Sequence, residues 1–164
     1  MERVVSFTTR PIRENEKNGK DYHFINNALA LTIITMGKGI AVRTYIPHSD
    51  FGPYPWYYGI EKSEITKKEN PVVITDVQGL LDLQKEFGKD NITSFYIDID
   101  EKEQEERMKT RKTTSEKEQR RRILADLKDF ENAEELVDLT IKTSKKTKPS
   151  TIAKKISSTI KGIK

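Results

Sequence analysis

SFTTRPIRENEKNGKDYHF, residues Ser6–Phe24, is the stretch that decides the fold. Its start favours a short buried strand, which Pro11 ends because proline cannot donate to a sheet ladder. Arg10 and Arg13 therefore lie in a constrained loop, and each guanidinium offers a planar fork of donors that matches a phosphate group. An Asn-Gly pair later in the stretch predicts a turn that folds the chain back toward this loop. The sequence thus predicts a phosphate-binding loop directly after a strand.

Hydroxyl groups in the same stretch extend the predicted phosphate site. Ser6 and the threonines that follow it lie beside the arginines, and the turn returns Tyr22 as a further donor. Together with Arg10 and Arg13, these groups can enclose a phosphate dianion. The alternative is a solvated turn that happens to be basic, since charge-rich turns are ordinary.

Four motifs in the chain resemble the guanylate kinase family. They are Ser-x-Thr-Thr-Arg-x-x-Arg with Gly-x-Asp-Tyr-x-Phe over Ser6–Phe24, YYGIEKSEI from Tyr57, DVQG from Asp76, and ERMKTR…RRR over Glu106–Arg122. The motifs follow the family's order at nearly its spacing and cover about residues 3–143. The resemblance implies an α/β fold, namely a truncated P-loop-kinase-like parallel sheet flanked by helices, with a GMP-binding-type β subdomain and a helical lid.

The resemblance also implies one guanylate kinase-like domain over residues 1–164, a length that can bury a single core. Within it we expect a nucleotide-monophosphate-binding subdomain over about residues 6–60 and lid helices over about residues 101–130. A C-terminal helix is expected over about residues 150–164, where isoleucines recur at helical spacing opposite lysines.

Further site residues are implied by the family's motifs. Tyr58 matches a tyrosine that contacts phosphate, and Asp76 matches an acid that faces the nucleotide, although an aspartate at a strand end is also a frequent helix cap. Arg111 and Arg122 match lid arginines that close over ATP phosphates. The alternative for these two is an amphipathic helix pair with solvated basic faces.

Two groups that read guanine in the family are missing from the matching positions. The family's glutamate falls at Val42 or Arg43, and the small hydroxyl residue after Tyr58-Gly59 is replaced by Ile60. Guanine offers two neighbouring donors that a carboxylate accepts well. The resemblance therefore implies a phosphate site more firmly than a guanine site.

An aromatic patch lies between these positions in the sequence. Tyr54, Trp56 and Tyr57 lie in or beside a proline-rich loop, and we expect them to offer a platform for a base, each good stack being worth about 1–3 kcal/mol. The alternative is a small satellite core under the loop, or a contact with another subunit.

The family's ATP-binding loop has no match in the sequence. A guanylate kinase normally opens with a strand and a glycine-rich loop ending in Gly-Lys-Ser/Thr, whereas only Met1–Val5 precede the first motif here. The Gly-Lys pairs elsewhere lack the upstream glycine and the following hydroxyl. Because that loop supplies much of the stabilisation of a transferring phosphoryl group, we expect phosphoryl transfer to be lost or very slow.

The sequence therefore predicts a protein without a catalytic residue of its own that binds a nucleotide or another phosphorylated small molecule. Such a protein can sequester a nucleotide, as viral proteins that blunt nucleotide-based defences do. One alternative is a GMP kinase whose P-loop portion is supplied by another chain, and only in that case are ATP and Mg²⁺ expected. Another alternative is an interaction module that holds a phosphorylated peptide.

Composition limits the other classes of function. The 30 Lys+Arg and 26 Asp+Glu residues leave a formal charge of +4, so specific nucleic-acid binding is not indicated. The chain has no cysteine, its two histidines lack metal-ligand spacing, and no apolar run approaches the roughly 20 residues of a membrane span. We expect a cytoplasmic protein without a metal site or membrane contact.

Loss of the family's first strand and helix would expose a sheet edge, so we expect a homo-oligomer or a partner that covers it.

Overall fold

The structure is a computed structural model that describes residues 1–47, 54–100, 102–104, 106 and 128–163. The chain forms two compact units, Met1–Glu86 and Phe87–Lys164. The first unit contains the predicted phosphate loop. The predicted lid residues Arg111 and Arg122 lie outside the described residues.

The described part of the chain contains short strands interspersed with helices. The first unit contains β1 (Glu2–Arg3), β2 (Phe7–Thr8), β3 (His23–Phe24), α1 (Asn27–Thr35), β4 (Gly39–Tyr45), β5 (Trp56–Glu61), α2 (Lys62–Thr66), β6 (Pro71–Val72) and α3 (Val77–Phe87), which ends one residue into the second unit. The second unit contains a 3-10 turn (Lys89–Asn91), β7 (Phe95–Ile99), α4 (Ala133–Leu136), β8 (Leu139–Thr143) and α5 (Pro149–Ile163).

The sheet that positions the site has four strands in the order β3-β2-β5-β4. One row of paired residues crosses all four strands, because Phe24 pairs with Thr8, Thr8 pairs with Tyr58, and Tyr58 pairs with Arg43. Directly paired residues project to the same face of a sheet. We call this side of the sheet the Tyr58 face.

A β-bulge decides which residue of β4 joins that row. Ile40 pairs with Ile60 and Arg43 pairs with Tyr58, so β4 spends three steps where β5 spends two. Ala41, inside the bulge, has a φ of 50°, in the left-handed region that residues with a Cβ seldom adopt. The extra residue brings Arg43 rather than Val42 beside Tyr58.

The opposite side of the sheet, which we call the Phe7 face, is covered by α1. Phe7, Ala30 and Ile33 form a buried cluster, with Ile25 and Tyr57 packed against it. The helix α1 is fixed at its start by the side chain of Asn26, which accepts a hydrogen bond of 2.8 Å from the Leu29 amide. The Phe7 face is therefore the core of this unit, and the row through Tyr58 lies on the opposite face of the sheet.

Parallel strand pairs occur in both units, as the predicted α/β class requires. In the first unit β1 pairs with β6, and in the second unit β7 pairs with β8 in a register running from Phe95↔Leu139 to Ile99↔Thr143. Helices accompany both pairs, so the predicted class of a parallel sheet with helices is confirmed. Among the described helices, none combines the length and apolar character that crossing a membrane requires.

Candidate functional site

The loop after β2 is organised by a buried arginine and a glutamate. Arg10 is only 5% exposed, and its Nη1 donates to Glu16 Oε2 at 2.7 Å while its Nη2 contacts the other carboxylate oxygen. The same Nη1 donates to the carbonyl of Pro11 at 2.9 Å, and Glu16 also accepts from the Arg13 amide at 2.9 Å. One carboxylate thus fixes the side chain of Arg10 and the backbone of Arg13.

Glu16 was not identified from the sequence. The signal that could have found it is an acid six residues after one arginine and three after another, inside a loop that must return on itself. A fork-to-fork pair of this kind is stronger and more directional than a pair formed by lysine. Glu16 therefore presents Arg10 in one fixed orientation.

Two aromatic rings flank the Arg10 guanidinium. Its carbon lies 5.1 Å from the centre of the Tyr22 ring and 5.4 Å from that of Phe24, both within the range of cation–π attraction. The Tyr22 ring in turn meets the Tyr58 ring edge-on, at 6.2 Å between centroids. The structure thus brings three of the predicted phosphate residues, Arg10, Tyr22 and Tyr58, into one cluster.

Arg13 and Tyr58 complete what we call the clamp (Arg10, Arg13, Tyr22 and Tyr58). Burial raises the pKa of the Tyr58 hydroxyl, and the positive charges of Arg10 and Arg13 oppose this only in part. Tyr58 therefore remains protonated at neutral pH and can donate a hydrogen bond. The Arg13 side chain is exposed, and its guanidinium makes no hydrogen bond or ion pair with the part of the chain that the structure describes.

The hydroxyl residues around the clamp have different roles. Thr8 is fully buried, its hydroxyl accepts from the Arg10 amide at 3.3 Å, and it pairs with Tyr58 across β2 and β5. Ser6, a predicted site residue, is half-buried, and its carbonyl accepts from the His23 amide at 2.9 Å to join β2 to β3. Thr8 thus fixes the start of the loop that carries Arg10, on the same face of the sheet as Tyr58.

Asp76 caps a helix, which is the alternative role that the sequence left open, and it also forms an ion pair. Its Oδ1 accepts from the Gly79 amide at 2.7 Å, which caps the start of α3. The same carboxylate takes a fork from Arg43, with Nη2 to Oδ1 at 2.8 Å and Nε to Oδ2 at 2.9 Å. Arg43 also donates to Asp82 at 3.2 Å. The bonds to Asp76 and Asp82 outweigh the effect of burial, so the pKa of Arg43 is raised.

The aromatic residues predicted to stack on a base are divided between the two faces. Trp56 pairs with Tyr45, and their rings stack at 5.8 Å with 26° between their planes, two residues along from the Arg43–Tyr58 pair and on the same face. Tyr54 is 71% exposed. Tyr57 instead packs against the Phe7 cluster, so its ring lies on the opposite face from Trp56 and does not suit the predicted stacking role.

Metal ligands were not expected from the sequence. Within the described ranges, no group of three or more His, Asp or Glu side chains is arranged to hold a metal ion. The arrangement on the Tyr58 face suits an anion, because its charged donors and neutral hydroxyls converge.

Protonation of Glu16 at low pH should destabilise the loop. The hydrogen bond from Arg10 is the largest cause that lowers the pKa of Glu16 from 4.5 to about 2. A carboxyl with a lowered pKa stabilises the folded state above its unfolded pKa and loses that contribution as the pH falls through the folded value. We expect about 2 kcal/mol of the unfolding free energy to be lost between about pH 4.5 and about pH 2 after allowance for solvent screening.

Urea denaturation at both ends of that pH range measures this loss. The Glu16→Gln variant should lose about 2 kcal/mol less over the same range, because it has no carboxyl to protonate. Glu14→Gln, which removes an exposed carboxylate from the same loop, is the matched control and should behave as the unmodified protein. An equal loss in Glu16→Gln and the unmodified protein would contradict the prediction.

Comparison with known proteins gives consistent matches to one family. A family model described as guanylate kinase matches residues 2–159. The chain is 31% identical over 146 residues to a guanylate kinase of Sus scrofa and 30% identical over 146 residues to one of Homo sapiens, in each case over 84% of this chain and 68% of the other. A guanylate kinase of Chlorobium chlorochromatii is 33% identical over 95 residues, which is 56% of this chain and 46% of that protein.

The fold matches as well. The crystal structure of guanylate kinase from Anaplasma phagocytophilum superposes with a TM-score of 0.68 at 20% identity, covering 98% of this chain and 74% of that one. At this identity the likeness concerns the fold alone. The predicted P-loop-kinase-like architecture is therefore confirmed.

Proposed function

The chain belongs to the guanylate kinase family, and on that premise we propose that it binds a nucleoside 5′-monophosphate on the Tyr58 face, with the phosphate held by the clamp. The observation that carries this proposal is the cluster built around Tyr22, whose ring lies 5.1 Å from the Arg10 guanidinium carbon and 6.2 Å from the centre of the Tyr58 ring. Two tyrosine hydroxyls and two guanidinium groups supply enough donors for the oxygens of one phosphate.

Charge within the clamp is divided between its two arginines. Glu16 neutralises Arg10 and, with Pro11, takes three of the five N–H groups of its guanidinium. Arg10 is therefore a rigid donor with two N–H groups left for a ligand. Arg13 brings the uncompensated positive charge, and its exposed side chain can close onto an arriving dianion.

We propose that the 164-residue chain holds its nucleotide without phosphorylating it. Its sequence contains no Gly-x-x-x-x-Gly-Lys-Ser/Thr, the loop whose amides and lysine cradle the phosphates of ATP in P-loop enzymes. Sequestration of the nucleotide is the activity that this arrangement supports.

A second candidate is a GMP kinase completed by a P-loop segment from another chain. It is favoured by the names of the relatives and by their length, since the chain spans 68% of the pig and human guanylate kinases. A coupled assay with GMP, ATP and Mg²⁺ separates the two candidates. Turnover by the purified 164-residue chain would overturn the proposal that it only holds the nucleotide.

Binding of GMP is tested through Trp56, the only tryptophan in the sequence, whose indole lies on the Tyr58 face. We expect GMP to change the Trp56 fluorescence with saturation, and calorimetry to give the same dissociation constant. Arg13→Ala should weaken binding by about tenfold or more, because one charge-assisted contact is lost.

The fold should survive this substitution, because the Arg13 side chain has no hydrogen bond or ion pair with a described residue. Lys20→Ala removes an exposed positive charge from the same stretch outside the clamp and should bind GMP as the unmodified protein does. Equal affinity in Arg13→Ala and Lys20→Ala would show that the clamp does not hold the phosphate. Displacement of GMP by a phosphoserine peptide would favour the interaction-module alternative.

A further inference from the structure

We propose that Arg43 sets the ligand range of this site by occupying the carboxylate of Asp76, so that nucleoside monophosphates bind through phosphate and ring stacking with little preference among the bases. This inference rests on the proposed function and concerns which nucleotides the same site accepts. It arises from the cluster of Arg43, Asp76 and Asp82 at the edge of the Tyr58 face.

Arg43 lies where the rest of a ligand held by the clamp would reach. It pairs with Tyr58 across neighbouring strands, which are about 4.8 Å apart, so its side chain begins one strand beyond the clamp on the same face. The stacked pair of Tyr45 and Trp56 follows two residues along. A phosphate at Tyr58 therefore directs the attached sugar and base toward the aromatic pair and Arg43.

The Asp76 carboxylate is already occupied by donors from the protein. Arg43 places Nε and Nη2 on its two oxygens at 2.9 and 2.8 Å, and the Gly79 amide adds a third bond at 2.7 Å. Guanine is the common base that presents a ring N–H beside an amino group, the pair of donors that a free carboxylate accepts. To reach Asp76, guanine would have to displace a charge-assisted fork.

Arg43 likewise has no two neighbouring N–H groups free to bind a ligand. Besides the two bonds to Asp76, its Nη1 donates to the Val42 carbonyl at 2.6 Å and to Asp82 at 3.2 Å. Four of its five N–H groups are thus used within the protein. Neither member of the pair has two neighbouring groups left for the edge of a base, and a site without a bidentate contact discriminates weakly.

The cluster is nevertheless within reach of a ligand. The side chains of Arg43 and Asp76 are 30% and 33% exposed, and that of Asp82 is 34% exposed. Both members of the pair have fixed positions. The bulge in β4 places Arg43 in the row through Tyr58, and Asp76 is held at the start of α3, which its carboxylate caps. The base would therefore meet a carboxylate that is already hydrogen-bonded to Arg43, rather than a free acceptor.

The test is to titrate the unmodified 164-residue protein with GMP, AMP, CMP, UMP and ribose 5-phosphate, using Trp56 fluorescence and calorimetry. We expect the dissociation constants of the four nucleotides to agree within about tenfold, since one good bidentate contact to a base discriminates by about that factor or more. Ribose 5-phosphate should bind more weakly because it cannot stack. A preference of more than about tenfold for GMP over AMP would overturn the inference and leave the proposed function standing.

A variant tests the part played by Arg43. Arg43→Met keeps the aliphatic stem and removes the fork, which frees Asp76, so the GMP-to-AMP affinity ratio should rise by about tenfold or more. Asp82→Asn is the matched control, because it weakens one contact of Arg43 and leaves the fork on Asp76, and its ratio should not change. A folded Arg43→Met protein with the original ratio would overturn the inference.

If circular dichroism shows that Arg43→Met does not fold, the titrations of the unmodified protein still test the inference about base preference. Absence of binding by all five ligands would overturn the proposed function together with this inference. The two failures are therefore distinguishable.

Discussion

Replacing Gly59 with alanine should lower the unfolding free energy by about 3 kcal/mol, at the upper end of what overpacking a core costs. Gly59 pairs with Phe7 across β2 and β5. A Cβ at Gly59 would lie 2.6 Å from Cζ and 3.0 Å from Cε1 of the Phe7 ring, and 3.2 Å from a methyl group of Val42. The first of these distances is far below van der Waals contact, so the ring would have to move.

The Phe7 ring has little room to move. Phe7 is 3% exposed and belongs to the cluster with Ala30 and Ile33, which are 0% and 8% exposed. Tyr57 and Ile25, both partly buried, pack against the cluster. A shift of the ring would therefore disturb the packing of α1 on the sheet, and close-packed interiors resist such shifts.

Urea denaturation followed by circular dichroism measures this effect. Gly162→Ala is the control, because a Cβ there meets nothing within 4 Å, and alanine in a helix is favoured over glycine by up to about 1 kcal/mol. Combining Gly59→Ala with Phe7→Leu should cost less than the sum of the two single changes, because the smaller side chain relieves the clash. A Gly59→Ala midpoint equal to that of the unmodified protein would show that the core tolerates the added methyl group.

The sequence alone could place Arg10 near Tyr22 because their positions follow from local chemistry, whereas Tyr58 was implied only by the resemblance to the family's motif. Pro11 ends the strand and the turn returns Tyr22, so the spacing alone places Arg10 and Tyr22 near each other. The partner of Arg10 could not be predicted in the same way. Glu16 was one of several acids in the stretch, and only the path of the loop selects it over Glu14.

The position of Arg43 was predictable only in part, because a β-bulge has no reliable signature in a single sequence. Strict alternation leaves open whether Val42 or Arg43 stands beside Tyr58. The bulge that decides the question is built on Ala41 with a positive φ, where glycine would have been the expected signal. The ion pair between Arg43 and Asp76 joins residues 33 apart in the sequence, and local patterns do not predict such a contact.

Alternation could, however, have separated the aromatic residues. Trp56 and Tyr57 are neighbours on one strand, and neighbours on a strand point to opposite faces. Only one of them can therefore share a face with a ligand held at Tyr58. That residue is Trp56, which makes it both the stacking residue that we propose and the natural reporter of binding.

Replacing Arg10 with alanine should remove GMP binding and also lower the unfolding free energy by about 3 kcal/mol. Breaking an ion pair by removing one buried partner leaves the other charge without its counterpart. Arg10 is 5% exposed, its side chain bonds Glu16 and Pro11, and its guanidinium packs on Tyr22. The loss should therefore exceed that of a surface ion pair, which is worth about 1 kcal/mol or less.

A double-mutant cycle with Glu16→Gln separates stability from binding. The two single changes should each destabilise the protein, and the double variant should be less destabilised than their sum by about 1–3 kcal/mol, because the charges act as a pair. Binding should follow a different pattern. Glu16→Gln retains the Arg10 guanidinium and should bind GMP within about fivefold of the unmodified protein, whereas Arg10→Ala should lose about a hundredfold or more.

Comparison of these two folded variants at equal temperature distinguishes a ligand contact from a structural one. If Arg10 acted only through the shape of the loop, Glu16→Gln would weaken GMP binding as much as Arg10→Ala does, because both break the same ion pair. A large difference between them requires the guanidinium itself to touch the phosphate. Equal losses of affinity would instead indicate that Arg13 and the tyrosines contact the phosphate and that Arg10 has a structural role in the loop.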